Sequence, residues 1–249
     1  MNKGKIRLDQ LLVDRGLAAN RSKAQALVMA GCVFQGERRL DKPGQPVATT
    51  AEIRLRGQDH PWVSRGGLKL AHGLVHFGIT PLGKTALDVG ASTGGFTEVL
   101  LAGGVARVYA VDVGYGQLAP RLRNDARVVV LERTNARFIS MAHVPECVDL
   151  VVCDASFIGL RTILPAPLSL ARSGAQLVAL IKPQFEVGRG RVGKGGVVRD
   201  PYLHAEVCRQ ITAWLAGQPG WQVLGVVESP ILGPGGNCEF LIGAERKGG

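Results

Sequence analysis

The chain has 249 residues, 46% of them hydrophobic, which is enough for one large domain and a small one, each with its own core. No run approaches the 18 or more consecutive apolar residues of a membrane span, and Met1 to Lys5 leads into a charged amphipathic segment rather than an apolar signal core. A cytoplasmic protein without membrane contact is expected. The net charge of +10 favours a polyanionic partner, with a generic solubilising charge as the alternative. The excess is concentrated at the front, where residues 1–60 hold 11 Lys/Arg against 6 Asp/Glu.

Leu8, Leu11, Leu12 and Leu17 predict a first helix ending at Gly16. A second helix is capped by Asn20 or Ser22, buries Ala24, Leu27, Val28 and Ala30, and stops at Gly31. Strands follow at Cys32 to Phe34 and at Glu52 to Arg56, with a turn at Gln35 to Glu37 between them. Arg7 to Leu12, Arg21 to Ala24, Val28, Gly31 to Val33, Gly36 and Ile53 to Leu55 together resemble the small RNA-binding domain first seen in small-subunit ribosomal protein four. The resemblance covers about 55 residues and implies an α+β RNA-binding domain over 1–57. It makes Arg7, Arg21, Lys23 and Arg38 the candidates for phosphate contacts, with a solvated surface charge as the alternative for each.

Residues 58–63 read as a linker, and Ser64-Arg65-Gly66-Gly67 opens a second domain over 64–249. There the chain alternates. The prediction is helix 68–77, strand 85–89, helix 96–102, strand 108–112, a short helix 116–122, and strands 127–131 and 148–153. Helix 159–171, strand 176–181, helix 201–216 and strands 221–228 and 238–244 complete it. Such alternation specifies a doubly wound, mostly parallel sheet, and the last two strands suit an antiparallel hairpin at its edge.

The stretch Asp88 to Phe96 is the most informative of the chain. A strand end runs into small residues, Gly90, Ser92, Thr93, Gly94 and Gly95, and the turn opens a helix at Phe96. Glycines let a ligand approach the backbone, and a helix start offers free N–H groups. The next strand ends on Asp112, placed to take the ribose hydroxyls of a nucleoside cofactor. Ser92 stands where a dinucleotide fingerprint needs its second glycine, so the spelling suits S-adenosylmethionine better. A tight strand-to-helix turn in another α/β protein is the alternative reading.

Four charged residues project at the strand ends or just before the sheet: Lys69, Asp154, Lys182 and Glu239. Two lysines and two acids in one cleft are costly unless the charges organise a reaction. A structural ion-pair network is the alternative. The order Lys69, Asp154, Lys182, Glu239 is similar to the tetrad of the FtsJ-like ribose 2′-O-methyltransferases. The longer phrases are similar to the TlyA family of bacterial rRNA cytidine 2′-O-methyltransferases, once called hemolysins. These are Val63 to Leu70, Asp88 to Phe96, Asp112 to Leu118, Glu132 to Arg137, Asp154 to Ile158, Lys182 to Glu186, Gly195 to Asp200 and Ser229 to Glu239.

The resemblance implies a Rossmann-like methyltransferase domain using S-adenosylmethionine. Asp88, the glycine loop, Asp112, Asn135 and Asp154 would lie at the cofactor, and Arg65 at the RNA. Ribosomal RNA or ribosomal subunits would be the partner. One departure is His60 before Pro61-Trp62-Val63, where the family often carries an Arg.

Other chemistries fit less well. Asp154-Ala155-Ser156-Phe157 is not the Asp/Asn-Pro-Pro-aromatic of exocyclic amine methylation. Cys153 sits within an apolar strand and reads as core rather than as a nucleophile. The five cysteines form no C-x-x-C pair, and His72 with His76 lacks a third ligand, so neither a disulfide framework nor a metal site is expected. A non-catalytic assembly factor on the same fold and a membrane-active hemolysin remain as competing readings.

Overall fold

The computed structural model describes residues 4–56 and 60–248, so Gly57 and, from the expected linker, Gln58 and Asp59 lie outside the described residues. The chain divides into two compact units that meet in sequence between Arg65 and Gly66.

The first unit runs β1 (Lys5–Arg7), α1 (Leu8–Asp14), α2 (Arg21–Met29), β2 (Val33–Gln35), β3 (Arg38–Arg39), β4 (Pro46–Ala48) and β5 (Arg54–Leu55). Asn20 caps α2, its side chain accepting from Lys23 N at 2.9 Å. Leu8, Leu11 and Leu12 from α1, Ala24 and Val28 from α2, and Val33 and Leu40 close one core. The β1–β4 pair is absent from the sequence reading, because three-residue strands 40 positions apart carry no periodicity of their own. His60, within the expected linker, is buried, and its Nε2 lies 3.2 Å from Ala30 O.

The second unit begins with α3 (Gly66–His76), β6 (Thr85–Val89), α4 (Gly95–Ala102), β7 (Arg107–Val111), α5 (Pro120–Arg123), β8 (Val128–Leu131) and β9 (Val148–Cys153). It continues with α6 (Leu160–Ile163), α7 (Pro165–Ser169), β10 (Ala171–Ile181), α8 (Pro183–Glu186), α9 (Pro201–Ala216), β11 (Trp221–Glu228) and β12 (Phe240–Arg246). The sheet order is β11-β12-β10-β9-β6-β7-β8. Strands β6 to β10 run parallel, and β12 lies antiparallel between β10 and β11, as the expected edge hairpin.

Two helices differ from expectation. The span 159–171 is broken into α6 and α7, because Pro165 lacks the N–H that would continue the first turn. The span 116–122 shortens to α5, which starts at Pro120 after Gly116 takes a left-handed φ of 67°.

Leu177 to Ile181 and Leu150 to Cys153 are buried on both faces, as in a sheet covered by helices. Each large apolar side chain buried there contributes about 1.5–3 kcal/mol. Gly73 on α3 faces Val178, and a Cβ there would stand 3.0 Å from that side chain, so the helix lies close on the sheet.

Candidate active site

Register brings the polar residues to one edge of the sheet. Val89 pairs with Val111 on one side and Cys153 on the other. The next residues, Gly90, Asp112 and Asp154, therefore stand level at the carboxyl ends of three adjacent parallel strands. This is the edge where ligands bind in such sheets.

Gly90 has φ +86°, and a Cβ there would lie 3.1 Å from the backbone of Asp154 and Ala155. A side chain would push the two strand ends apart. Gly94, at φ +99°, is the N-cap of α4, and Gly95 and Phe96 are buried in its first turn. Thr93 is buried, and Ser92 holds the left-handed φ of 48° unusual for a non-glycine residue.

Asp88 is fully buried. Its Oδ2 accepts from Thr97 Oγ1 at 2.6 Å, while Oδ1 has no partner among the described residues. Burial pushes its carboxyl up to about 7, with the negative charges of Asp154 and Asp112 adding to the shift and the Thr97 bond opposing it. Asp112 accepts from Ser92 N at 2.8 Å and Gly114 N at 2.7 Å, so its carboxylate also ties the glycine loop to β7. Asn135 is exposed and caps the 3₁₀ turn Ala136–Phe138 through Arg137 N.

The four tetrad residues form two ion pairs. Lys69 Nζ meets Glu239 Oε2 at 2.5 Å, and Lys182 Nζ meets Asp154 Oδ1 at 2.5 Å. Lys182 also donates to Ser156 Oγ at 2.9 Å, a partner the sequence reading did not single out. Lys69, Lys182 and Glu239 are buried, and Asp154 keeps about a fifth of its side chain open (21%).

Burial acts to lower the Lys182 ammonium, but Asp154 and Glu239 outweigh it and raise it above its ordinary value. Burial likewise works against the Asp154 carboxylate, and Lys182 and Lys69 together hold it below its ordinary value. Lys182 and Asp154 therefore hold each other in their ionised forms. Cys153, one residue away, is pushed up to about 12 by burial and stays an inert thiol of the core.

In the first unit, Arg7 and Arg21 converge on Asp9, whose side chain is fully buried. Arg7 Nη2 lies 2.8 Å and Arg21 Nε 3.0 Å from Asp9 Oδ2. Lys23 and Arg38 are exposed. Arg65, which the resemblance puts at the RNA, is buried, with Nη2 3.1 Å from Asp41 Oδ1.

The sheet order, the inserted antiparallel strand and the glycine turn at the carboxyl edge define a Rossmann-like methyltransferase. The chain belongs to the FtsJ-like methyltransferase family, whose model matches residues 62–246, and an S4 domain model matches residues 6–53. It is 51% identical to the 16S/23S rRNA (cytidine-2′-O)-methyltransferase TlyA of Mycobacterium tuberculosis, over 96% of this chain and 89% of that protein. It is 40% identical to Hemolysin A of Brachyspira hyodysenteriae, over 95% of this chain and 98% of that one. A solved structure of a candidate hemolysin from Streptococcus thermophilus matches with a TM-score of 0.75 at 42% identity, covering 98% of this chain and 90% of the other. Among the described residues no helix is long and apolar enough to cross a membrane.

Proposed function

We propose that the protein transfers a methyl group from S-adenosylmethionine to the 2′-hydroxyl of a cytidine ribose in ribosomal RNA, with the first unit docking the RNA. The observation that carries this reading is the pair of short ion contacts, Lys69–Glu239 and Lys182–Asp154, at the same sheet edge as the glycine turn. Sequence identity to a cytidine-2′-O-methyltransferase over nearly the whole chain supports the substrate class.

The residues present suit the cofactor. Gly90 lets the ends of β6 and β9 stand close together at the carboxyl edge, and Asp88 offers a buried, unpartnered carboxyl oxygen. Asp88, the loop from Gly90 to Phe96, Asp112, Asn135 and Asp154 would hold it. When bound, S-adenosylmethionine supplies an electrophilic methyl carbon.

The protein must then orient a weak nucleophile. Lys182, kept charged by Asp154 and Glu239, holds the ribose oxygen and stabilises the negative charge that builds as the hydroxyl proton passes to water. Asp154 and Glu239 fix the two ammonium groups, and Lys69 completes the neutralisation of Glu239. Arg7, Arg21, Lys23 and Arg38 would contact phosphates, giving affinity and position rather than sequence reading.

The test uses tritiated-methyl S-adenosylmethionine with unmethylated ribosomal subunits and free rRNA, comparing wild type with Lys182→Ala. The expected result is ribose label at one position resistant to alkaline cleavage, reduced about 10²–10⁴-fold in the variant. Cofactor binding without label transfer to any RNA would remove the substrate assignment. Loss of cofactor binding as well would leave a non-catalytic RNA-binding factor.

A further inference from the structure

Glu239 is held by more than its ion pair. It follows a turn, 233–237, whose backbone closes through Gly233 N to Asn237 O at 2.8 Å, and Ser229 N donates to Glu239 O at 2.9 Å. Gly233 lies directly against the Glu239 carboxylate, where a Cβ would come within 2.1 Å of Oε1. Asn237, two residues before Glu239, is 2% exposed. Its Nδ2 donates to Pro234 O at 3.2 Å, within the turn, and to Gly196 O at 3.0 Å, 41 residues away. Its Oδ1 accepts from Val198 N at 3.1 Å.

The segment reached in this way is itself built. Gly193 and Val197 form an antiparallel bridge, Gly195 and Gly196 take φ near +80°, and Val197 and Val198 are buried. His204 on α9 lies 2.9 Å from Val198 O. One amide thus joins three backbone groups from two segments, and one of those segments carries a tetrad carboxylate. A buried amide with both sides satisfied specifies geometry rather than adding surface affinity.

We propose that Asn237 is a positioning residue for methyl transfer: it clamps segment 193–198 to the turn 233–237 and so fixes the Glu239 carboxylate on Lys69. This rests on the methyltransferase reading above. Asn237 touches neither the reacting atoms nor the cofactor loop, and it acts through Glu239.

The test compares single-turnover rates of wild type, Asn237→Ala, Asn237→Asp, Glu239→Gln and the double variant Asn237→Ala/Glu239→Gln on one unmethylated rRNA substrate. Cofactor affinity is measured by calorimetry. Misplacement of a supporting group by about 1 Å costs on the order of a hundredfold in rate, and a loss of that size is expected for Asn237→Ala with cofactor Kd within about twofold of wild type. Asn237→Asp keeps the volume and the Val198 bond but loses both donated bonds, so it falls similarly. In the Glu239→Gln background, Asn237→Ala costs less than about twofold more, because the two act as a unit.

Independent, multiplying losses would overturn the proposal. So would rate and cofactor affinity falling together, or both Asn237 variants failing to fold while Glu239→Gln folds; the amide would then hold the domain, not the carboxylate. A wild type that transfers no methyl group sinks the parent reading as well, whereas a failed cycle on an active enzyme sinks this one alone.

Discussion

Asp9 in the first unit and Glu239 in the second have the same burial and the same kind of partner, but their partners end in different places. Both carboxylates are fully buried. Arg7 and Arg21, on Asp9, keep 51% and 53% of their side chains exposed, while Lys69, on Glu239, keeps 8%. The open arrangement uses one buried acid to fan two guanidinium groups toward solvent, where a phosphate can reach them. The closed one removes both charges from water, which is unfavourable for stability and useful only where charge must be held still.

The largest effect tests the closed pair. Lys69→Met leaves the Glu239 carboxylate buried without its cation and should cost about 3–5 kcal/mol of stability, together with loss of methyl transfer. Adding Glu239→Leu should recover much of the stability and none of the activity. Denaturant unfolding of the single and double variants checks this. A double variant as unstable as the single one would mean that the pair stabilises the fold, and the contrast with Asp9 would fall.

Asp9→Asn is expected to cost less, about 1–3 kcal/mol, since water takes over the released guanidinium groups. The acid limb of stability sharpens the point. Burial works against the Asp9 charge, but hydrogen bonds from Arg7, Gln25 and Arg21 hold its carboxyl well below the usual range. Its contribution is present in full above the ordinary carboxylate value and is lost progressively as pH falls from there through the lower folded value, so the variant should lose most stability at pH 7 and less at pH 2. Equal losses at both pH values would show that shape, not charge, is what Asp9 supplies.

How much of this was legible follows from distance along the chain. Asp154 and Lys182 each end an apolar strand, so the run of Leu150 to Cys153 or Leu177 to Ile181 announces the residue that follows. The glycine turn is equally local. Asp9 reads as an ordinary acid in the first turn of a helix, and its hub with Arg21 and Gln25 appears only when α2 packs on α1. Asn237 lies in a phrase the sequence reading quoted, yet its partners at 196 and 198 are about 40 positions away. No single-residue signal distinguishes a clamp from a loop amide. Arg65 is a related case, since nothing in its local sequence announces that Asp41 stands beside it.

Asp88 is a third case, a buried acid with no cation. Its pKa near 7 lies above the unfolded value, so the folded state binds the extra proton between about pH 4 and pH 7. The contribution is present below that window and is lost as pH rises through it. Asp88→Asn should remove this slope and raise stability at pH 8 relative to wild type, in protein free of cofactor. Denaturation midpoints at pH 5 and pH 8 decide it. A wild-type slope matching that of the variant would mean that Asp88 ionises at an ordinary pH and has found a partner.

The smallest stability effect belongs to the open surface, where it is separated from binding. Lys23 is exposed, and Lys23→Ala should change stability by no more than about 0.5 kcal/mol. If it contacts an RNA phosphate, the slope of log affinity against log salt should still shallow by about 0.7–0.9, the value for one lost contact. Arg21→Ala should shallow the slope similarly. It should also alter the acid limb of stability, because it removes one of the bonds that keep Asp9 ionised. An unchanged slope for Lys23→Ala beside a changed one for Arg21→Ala would show that only the guanidinium groups organised by Asp9 meet the phosphates.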